Sequence, residues 1–298
     1  MAKELIVFPE VHIKSRRSEA VGFAKETARM QAKVRLFLEG TIAGQSVKRS
    51  EEVGFPVTGI EHDKLHPVIG RLSSACGLLQ CNAYIYAIFH PDDSASKSYI
   101  SSIMAELKKV AQMTATYRQG ELPEFECITP QNALKYLMRS VGYNVELGLE
   151  HGFITADGMK LAFKDIAANG RNSIASTTKQ YLELAMMQME DGFFREMAQI
   201  LSDTQQMIRT HGCDIGLEDS NLTPQIIELL AIQNPLELNQ AMNELNGELS
   251  VYRNMFMALC IYNSDFQIGV LNVGANHAHP DSLLSKVLGM SGLQMTVK

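Results

Sequence analysis

Short apolar runs alternate with amphipathic stretches over the first third of the chain. Leu5-Ile6-Val7-Phe8, Val34 to Leu38 and Phe55 to Ile60 are runs of buried-strand length. Ser18 to Ala32, between the first two, places Val21, Ala24, Ala28 and Met30 near one helical face. Leu65 to Leu79 predicts a helix, and Ala83 to Phe89 a fourth strand closed by His90-Pro91-Asp92-Asp93. Strands separated by helical segments predict βαβ crossovers and a mainly parallel sheet.

The middle has a different pattern. Ala95 to Tyr117 is helical, with Ile100, Ile103, Met104, Leu107 and Val110 on one side. Helical segments then recur at Pro130 to Val141, Gly158 to Ala168, Ser173 to Thr210, Pro224 to Ile232 and Pro235 to Tyr262. Proline at or near the first turn marks three of their starts, and Gly170 and Gly212 read as stops. The end returns to the first pattern: an apolar run from Phe266 to Val273, a short helix over Asp281 to Leu288 and a last strand over Leu293 to Val297. The expected fold is therefore α/β. Residues 1–94 and 263–298 form a mainly parallel central sheet, and 95–262 form a large helical insertion or cap whose last helix rejoins the core.

Composition narrows the classes. The 298 residues are 46% hydrophobic and 20% charged, a globular balance that excludes wholesale disorder. A formal charge of -6 argues against a protein that binds nucleic acid through its overall field. No stretch approaches the ~20 apolar residues of a membrane span. Lys3, Glu4 and Glu10 replace the apolar core of a signal peptide, so a cytoplasmic location is expected. Five scattered cysteines do not suggest a disulfide framework. A small-molecule or peptide substrate and a homo-oligomer stay open.

In a parallel α/β sheet, ligands bind outside the carboxyl ends of the strands. The polar residues after the apolar runs are Glu10 and His12, Glu39, Glu61 with His62, His90, and Asn276 with His277. Parallel strands would bring them to one edge. Carboxylate plus imidazole is the ligand set of a divalent metal (Mn, Co or Zn) or of an acid/base pair. The plainer reading is that strand ends are polar in any sheet.

The same segments resemble a broad superfamily. Phe8-Pro9-Glu10-Val11-His12 looks like the "Gly-Glu-x-His" entry shared by erythromycin esterases, ChaN-type haem-binding proteins and TraB/Tiki metalloprotease-like proteins. Leu36-Phe37-Leu38-Glu39 matches its "apolar run then Glu" strand, and Val57 to Glu61 its strand ending in Gly-hydrophobic-acid. Arg253-Asn254-x-x-Met257-Ala258 resembles an "Arg-Asn-x-x-Met" helix, and Val273-Gly274-Ala275-Asn276-His277 the closing "Gly-x-x-His". These pieces cover about a third of the chain, and the helical middle before Arg253 matches no named motif. The resemblance implies an ester or amide hydrolase. His12 and His277 are then the motif histidines, Glu10 and Glu39 the acidic partners as ligands or general base. Arg253 is an anion partner or holds a carboxylate in place. The implied metal ligands are Glu10, His12, Glu39 and His277. The chain departs at Pro9, where the family has Gly; proline brings no N–H to that point. The implied alternative is a non-catalytic binder of haem or another small ligand, and the helical middle also admits an interaction or scaffolding role.

Other groups are weaker. His62 and His66 are four apart, a helical metal-site spacing, but Pro67 disturbs a regular helix there. Cys76 and Cys81 read as buried small residues. Lys14, Arg16 and Arg17 read as a solvated turn or an anion contact, and Met186, Met187, Met189 and Met197 with Phe193 and Phe194 as core or an apolar ligand face.

Overall fold

A computed structural model describes residues 3–10, 16–30, 33–43, 53–117, 191–216 and 222–298, with a few isolated positions between 174 and 189. In chain order the described elements are β1 (Glu4–Glu10), α1 (Arg17–Arg29), β2 (Val34–Ile42), β3 (Val57–Glu61), α2 (Leu65–Phe89), α3 (Ser94–Tyr117), α4 (Asp191–Arg209), α5 (Leu222–Ala231), α6 (Pro235–Tyr262), β4 (Ile268–Gly274), α7 (Ala275–Ala278), α8 (Leu283–Met290) and β5 (Gln294–Val297). The chain divides into two compact units. The first gathers Met1–His66, Gly192–Asp219 and Ser250–Lys298; the second holds Pro67–Asp191 and Ser220–Leu249. No described helix is long and apolar enough to cross a membrane.

The first unit is an α/β layer structure. Its five strands lie in the order β3-β2-β4-β1-β5, and every pairing is parallel. The alternation of side chains along a strand sends Leu5 and Val7 to one face and Ile6 and Phe8 to the other. Ile6, Phe8, Leu36, Leu38 and Val270 pack with Ala20 and Ala24 of α1. Leu5, Val7, Phe37, Ile60 and Leu271 pack with Met207 and Ile208 of α4, Met257, Ala258 and Ile261 of α6, and Val287 and Leu288 of α8. With both faces covered, the central strands read as continuous apolar runs rather than alternating ones. Full burial of a side chain such as Leu5 or Phe37 stabilises the unit by roughly 1.5–3 kcal/mol.

Pro9 fits this sheet. Its register partner is Val273 of β4, and it lies two residues past Val7, the last β1 residue paired with β5. Val7 turns its carbonyl to the β5 side, where it accepts from the Lys298 N–H at 3.0 Å. Pro9 shares that side and lies past the last described β1–β5 pair, so its missing N–H interrupts none of those pairs.

The second unit is helical in its described part. Leu72, Leu78 and Leu79 of α2, Tyr99 and Ile103 of α3, and Leu238, Met242 and Leu245 of α6 are buried. Asn246 Nδ2 donates to Ser73 Oγ at 3.4 Å, tying α6 to α2. The expected strand over Ala83 to Phe89 is a correction: α2 runs unbroken from Leu65 to Phe89. A short apolar run cannot by itself separate a buried strand from a buried helix. Here Gln80-Cys81-Asn82 carries no Gly or Pro to stop the helix begun at Leu65. His90 therefore follows a helix, where its ring lies 4.6 Å from that of Tyr86, and it is not a strand-end residue. The segments Pro130 to Val141 and Gly158 to Ala168 lie outside the described residues.

Candidate active site

The carboxyl edge of the sheet is shaped by three glycines. The β2–β3 register shifts between Leu38 and Ile42, a bulge that bends the strand and re-aims its side chains. Gly40 sits in the bulge with φ +70°, and its N–H donates to Glu61 Oε1 at 3.1 Å. Opposite, a Cβ on Gly59 would stand 2.4 Å from the Thr41 carbonyl oxygen, so only glycine lets β3 approach here. Gly274, the last residue of β4, donates its N–H to Glu39 Oε2, and a Cβ there would lie 3.2 Å from that oxygen.

These features gather two carboxylates around one guanidinium. Arg253, on α6, donates through Nε to Glu61 Oε2 at 2.9 Å and through Nη2 to Glu61 Oε1, a two-pronged grip. The same Nη2 donates to Glu39 Oε1 at 2.6 Å. The Glu61 side chain is fully buried, and those of Glu39 and Arg253 nearly so. Burial alone would raise the Glu39 carboxyl. Arg253, His277 and the Gly274 N–H outweigh burial and Glu61 repulsion, and hold it below the ordinary 4.5. Burial also opposes the charge on Glu61, but His66 and Arg253 overcome it and hold that carboxyl far below 4.5. Burial disfavours the Arg253 charge as well, yet Glu61 and Glu39 fix it firmly in the protonated state. Two carboxylates facing one guanidinium leave the cluster with an excess of negative charge.

His277, in α7 just past β4, completes the group. Its Nδ1 lies 2.6 Å from Asn254 Oδ1. Asn254 Nδ2 donates to the Ser250 carbonyl at 2.7 Å, which leaves Oδ1 as the acceptor and places the His277 ring proton on Nδ1. Nε2 is then the basic nitrogen. It lies 3.3 Å from Arg253 Nη1 and 3.6 Å from Glu39 Oε1. The short α7 is pinned by Ser282 Oγ, which donates to the His277 carbonyl at 2.6 Å. Arg253 and Asn254 thus serve adjacent parts of the site, while Met257 and Ala258, one turn on, are buried in the core.

His62 and His66 do different work from each other. His62 Nδ1 accepts from the backbone N–H groups of Lys64 (3.2 Å) and Leu65 (3.3 Å), capping the start of α2. Its Nε2 lies 3.4 Å from Glu196 Oε2, Lys64 pairs with the same carboxylate, and burial lowers the pKa of the ring. His62, Asp63 and Glu196 are close enough to share a cation, but both His62 nitrogens are engaged within the protein. The two histidines do not form a joint metal pair: His66 turns Nδ1 to Glu61 Oε2, 3.5 Å away. Cys260, also near Glu61, is pushed up to about 12 by burial and by that carboxylate, so its thiol stays protonated.

Of the residues singled out in the sequence, Glu39, Arg253 and His277 meet directly. Glu10 stands at the same edge, opposite Gly274 in the β1–β4 ladder. His12 lies outside the described residues. The bonds add Glu61, Asn254 and His66 to the site. Glu61 could be read from its strand-end position. The Asn254 role follows from its place beside Arg253 on the helix, and only the fold reveals that of His66.

No family model matches the chain, and no curated protein or solved structure matches it either.

Proposed function

We propose that the first unit is a hydrolase of ester or amide bonds that works by His/Glu-assisted attack of water, in keeping with the resemblance to the erythromycin esterase, ChaN and TraB/Tiki-like superfamily. The observation that carries this reading is His277. Asn254 fixes its tautomer, and its basic Nε2 is directed at a buried, ionised Glu39 and at Arg253. Asn254 is the orienting group that leaves Nε2 as the base, and Glu39 beside that nitrogen favours the imidazolium it becomes. Water attacking a carbonyl carbon gives its proton to His277 Nε2. Glu39 stabilises the imidazolium that forms. Arg253 Nη1, 3.3 Å from His277 Nε2, turns from that nitrogen to the developing oxyanion as water takes its place. Glu61 and Gly40 hold the guanidinium and the bulge in place.

Glu39 Oε1 and His277 Nε2 are also the pair of donors that a Mn, Co or Zn ion would take. Arg253 directs Nη2 at the first and Nη1 at the second, so a fixed positive charge lies against both and opposes a cation there. This favours the version without a metal. The test is a screen of ester and amide substrates with wild type, His277→Ala and Asn254→Ala, run with chelator and with added Mn²⁺, Co²⁺ or Zn²⁺. Turnover that resists chelator and is lost in His277→Ala is expected. Turnover unchanged in His277→Ala would remove the proposal, and turnover that requires added metal would replace it with the metal-assisted version.

A further inference from the structure

The hydrolase reading leaves one imidazole at the cluster, that of His66, without a part. Glu61 is a fully buried carboxylate, and its Oε2 faces two donors: Arg253 Nε and His66 Nδ1. The His66 side chain is 30% exposed. Among the described residues its Nε2 has no partner, whereas both nitrogens of His62 are engaged. A buried carboxylate behind a partly exposed imidazole fixes the ring so that Nδ1–H points inward and Nε2 points out. Glu61 also grips Arg253, so His66 and His277 are attached to opposite ends of one guanidinium–carboxylate pair.

Resting on the hydrolase reading, we propose that His66, oriented by Glu61, is the general acid that protonates the leaving group. This makes the substrate an ester of an unactivated alcohol, or an amide. Water oxygen bonds to the carbonyl carbon while His277 Nε2 takes its proton. The carbon–oxygen or carbon–nitrogen bond to the leaving group then breaks, its electron pair going to the leaving atom. Protonated His66 gives that atom its Nε2 proton. The turnover ends with His277 protonated and His66 neutral, and exchange with water restores both. The two histidines divide the work because each has its own carboxylate: Glu39 beside the base and Glu61 behind the acid.

Leaving-group dependence separates an acid from a merely structural residue. A p-nitrophenyl ester expels a stable anion and needs no proton; an alkyl ester or an anilide does. General acid catalysis contributes roughly 10²–10⁴-fold. His66→Gln and His66→Ala, each checked by circular dichroism melting, should lose about 100-fold or more in kcat/KM on ethyl and benzyl esters, but less than about fivefold on p-nitrophenyl acetate. Glu61→Gln should show the same selectivity on top of a wider loss. Equal losses on both ester types, or no loss on either, overturn the role of His66 while leaving the hydrolase intact. A wild type that turns over neither ester class overturns the hydrolase reading itself, and His66 falls with it.

Discussion

Arg253→Met removes the one cation that two buried carboxylates share while keeping a side chain of similar length. Glu61 then keeps the Gly40 N–H and the His66 contact, and Glu39 keeps the Gly274 N–H and His277, but neither has its guanidinium. Taking one partner from a buried ion pair costs about 3–5 kcal/mol, because the charge left behind has lost its solvent and its counterion. For a chain of this size, ~1 kcal/mol corresponds to roughly 2–4 °C in Tm, so a fall on the order of 6–20 °C is expected for the transition of the first unit. The penalty depends on pH with a definite sign. In the wild type both carboxyls lie below their ordinary 4.5, so their contribution to stability is fully present above that value and is lost as pH falls toward the folded pKa values. In Arg253→Met burial raises both carboxyls, and below their new values they fold as neutral acids. The wild-type advantage must therefore shrink as pH falls from 7 toward 4. Circular dichroism melting at pH 7, 5.5 and 4 measures it, with Arg253→Met/Glu61→Gln as the partner variant that relieves one buried charge. A pH-7 difference under about 1 kcal/mol, a difference independent of pH, or a double variant less stable than the single would refute this account of the cluster.

Asn254→Ala frees His277 Nδ1; ring nitrogen shifts in ¹⁵N-labelled protein should report loss of the single tautomer, with turnover down about 10–100-fold as for other orienting partners. Gly59→Ala forces a Cβ against the Thr41 carbonyl and should cost roughly 1–3 kcal/mol by denaturant unfolding; a neutral result contradicts the described bulge. Cys260 should resist iodoacetamide at pH 8 in the folded protein and react after denaturation, as read by mass spectrometry of its peptide, because burial pushes its thiol up to about 12.

The sheet was legible because its strands are buried on both faces, and runs such as Leu5 to Phe8 and Val34 to Leu38 have no other good use. Glu39 and His277 were legible for a related reason: a carboxylate or imidazole that closes the apolar run of a parallel strand sits toward the carboxyl edge. The strand expected over Ala83 to Phe89 failed because α2 is apolar on all sides, so the helical period was hidden. Of the bonds of the site, only an Arg253–carboxylate contact was anticipated, and that only through the resemblance; which carboxylates it holds was not legible. That Glu61 grips Arg253, that Asn254 sets the His277 tautomer and that His66 turns toward Glu61 all depend on strand order and on the bulge at Gly40. Neither of these is encoded in any local pattern. Pro9 shows the converse case. In the sequence it marks a departure from a motif, yet in the sheet it interrupts none of the described β1–β5 pairs.

The proposed chemistry requires Glu39 on β2 and His277 beyond β4 to act as one catalytic unit. Their coupling is read from kcat/KM for wild type, Glu39→Gln, His277→Ala and the double variant on one ester substrate, with matched melting curves. Groups that act as a unit are strongly non-additive. Either single change should cost nearly as much as both together, with the fold retained. Single losses that multiply in the double variant, or a double variant as active as wild type, would contradict a shared role for the two residues.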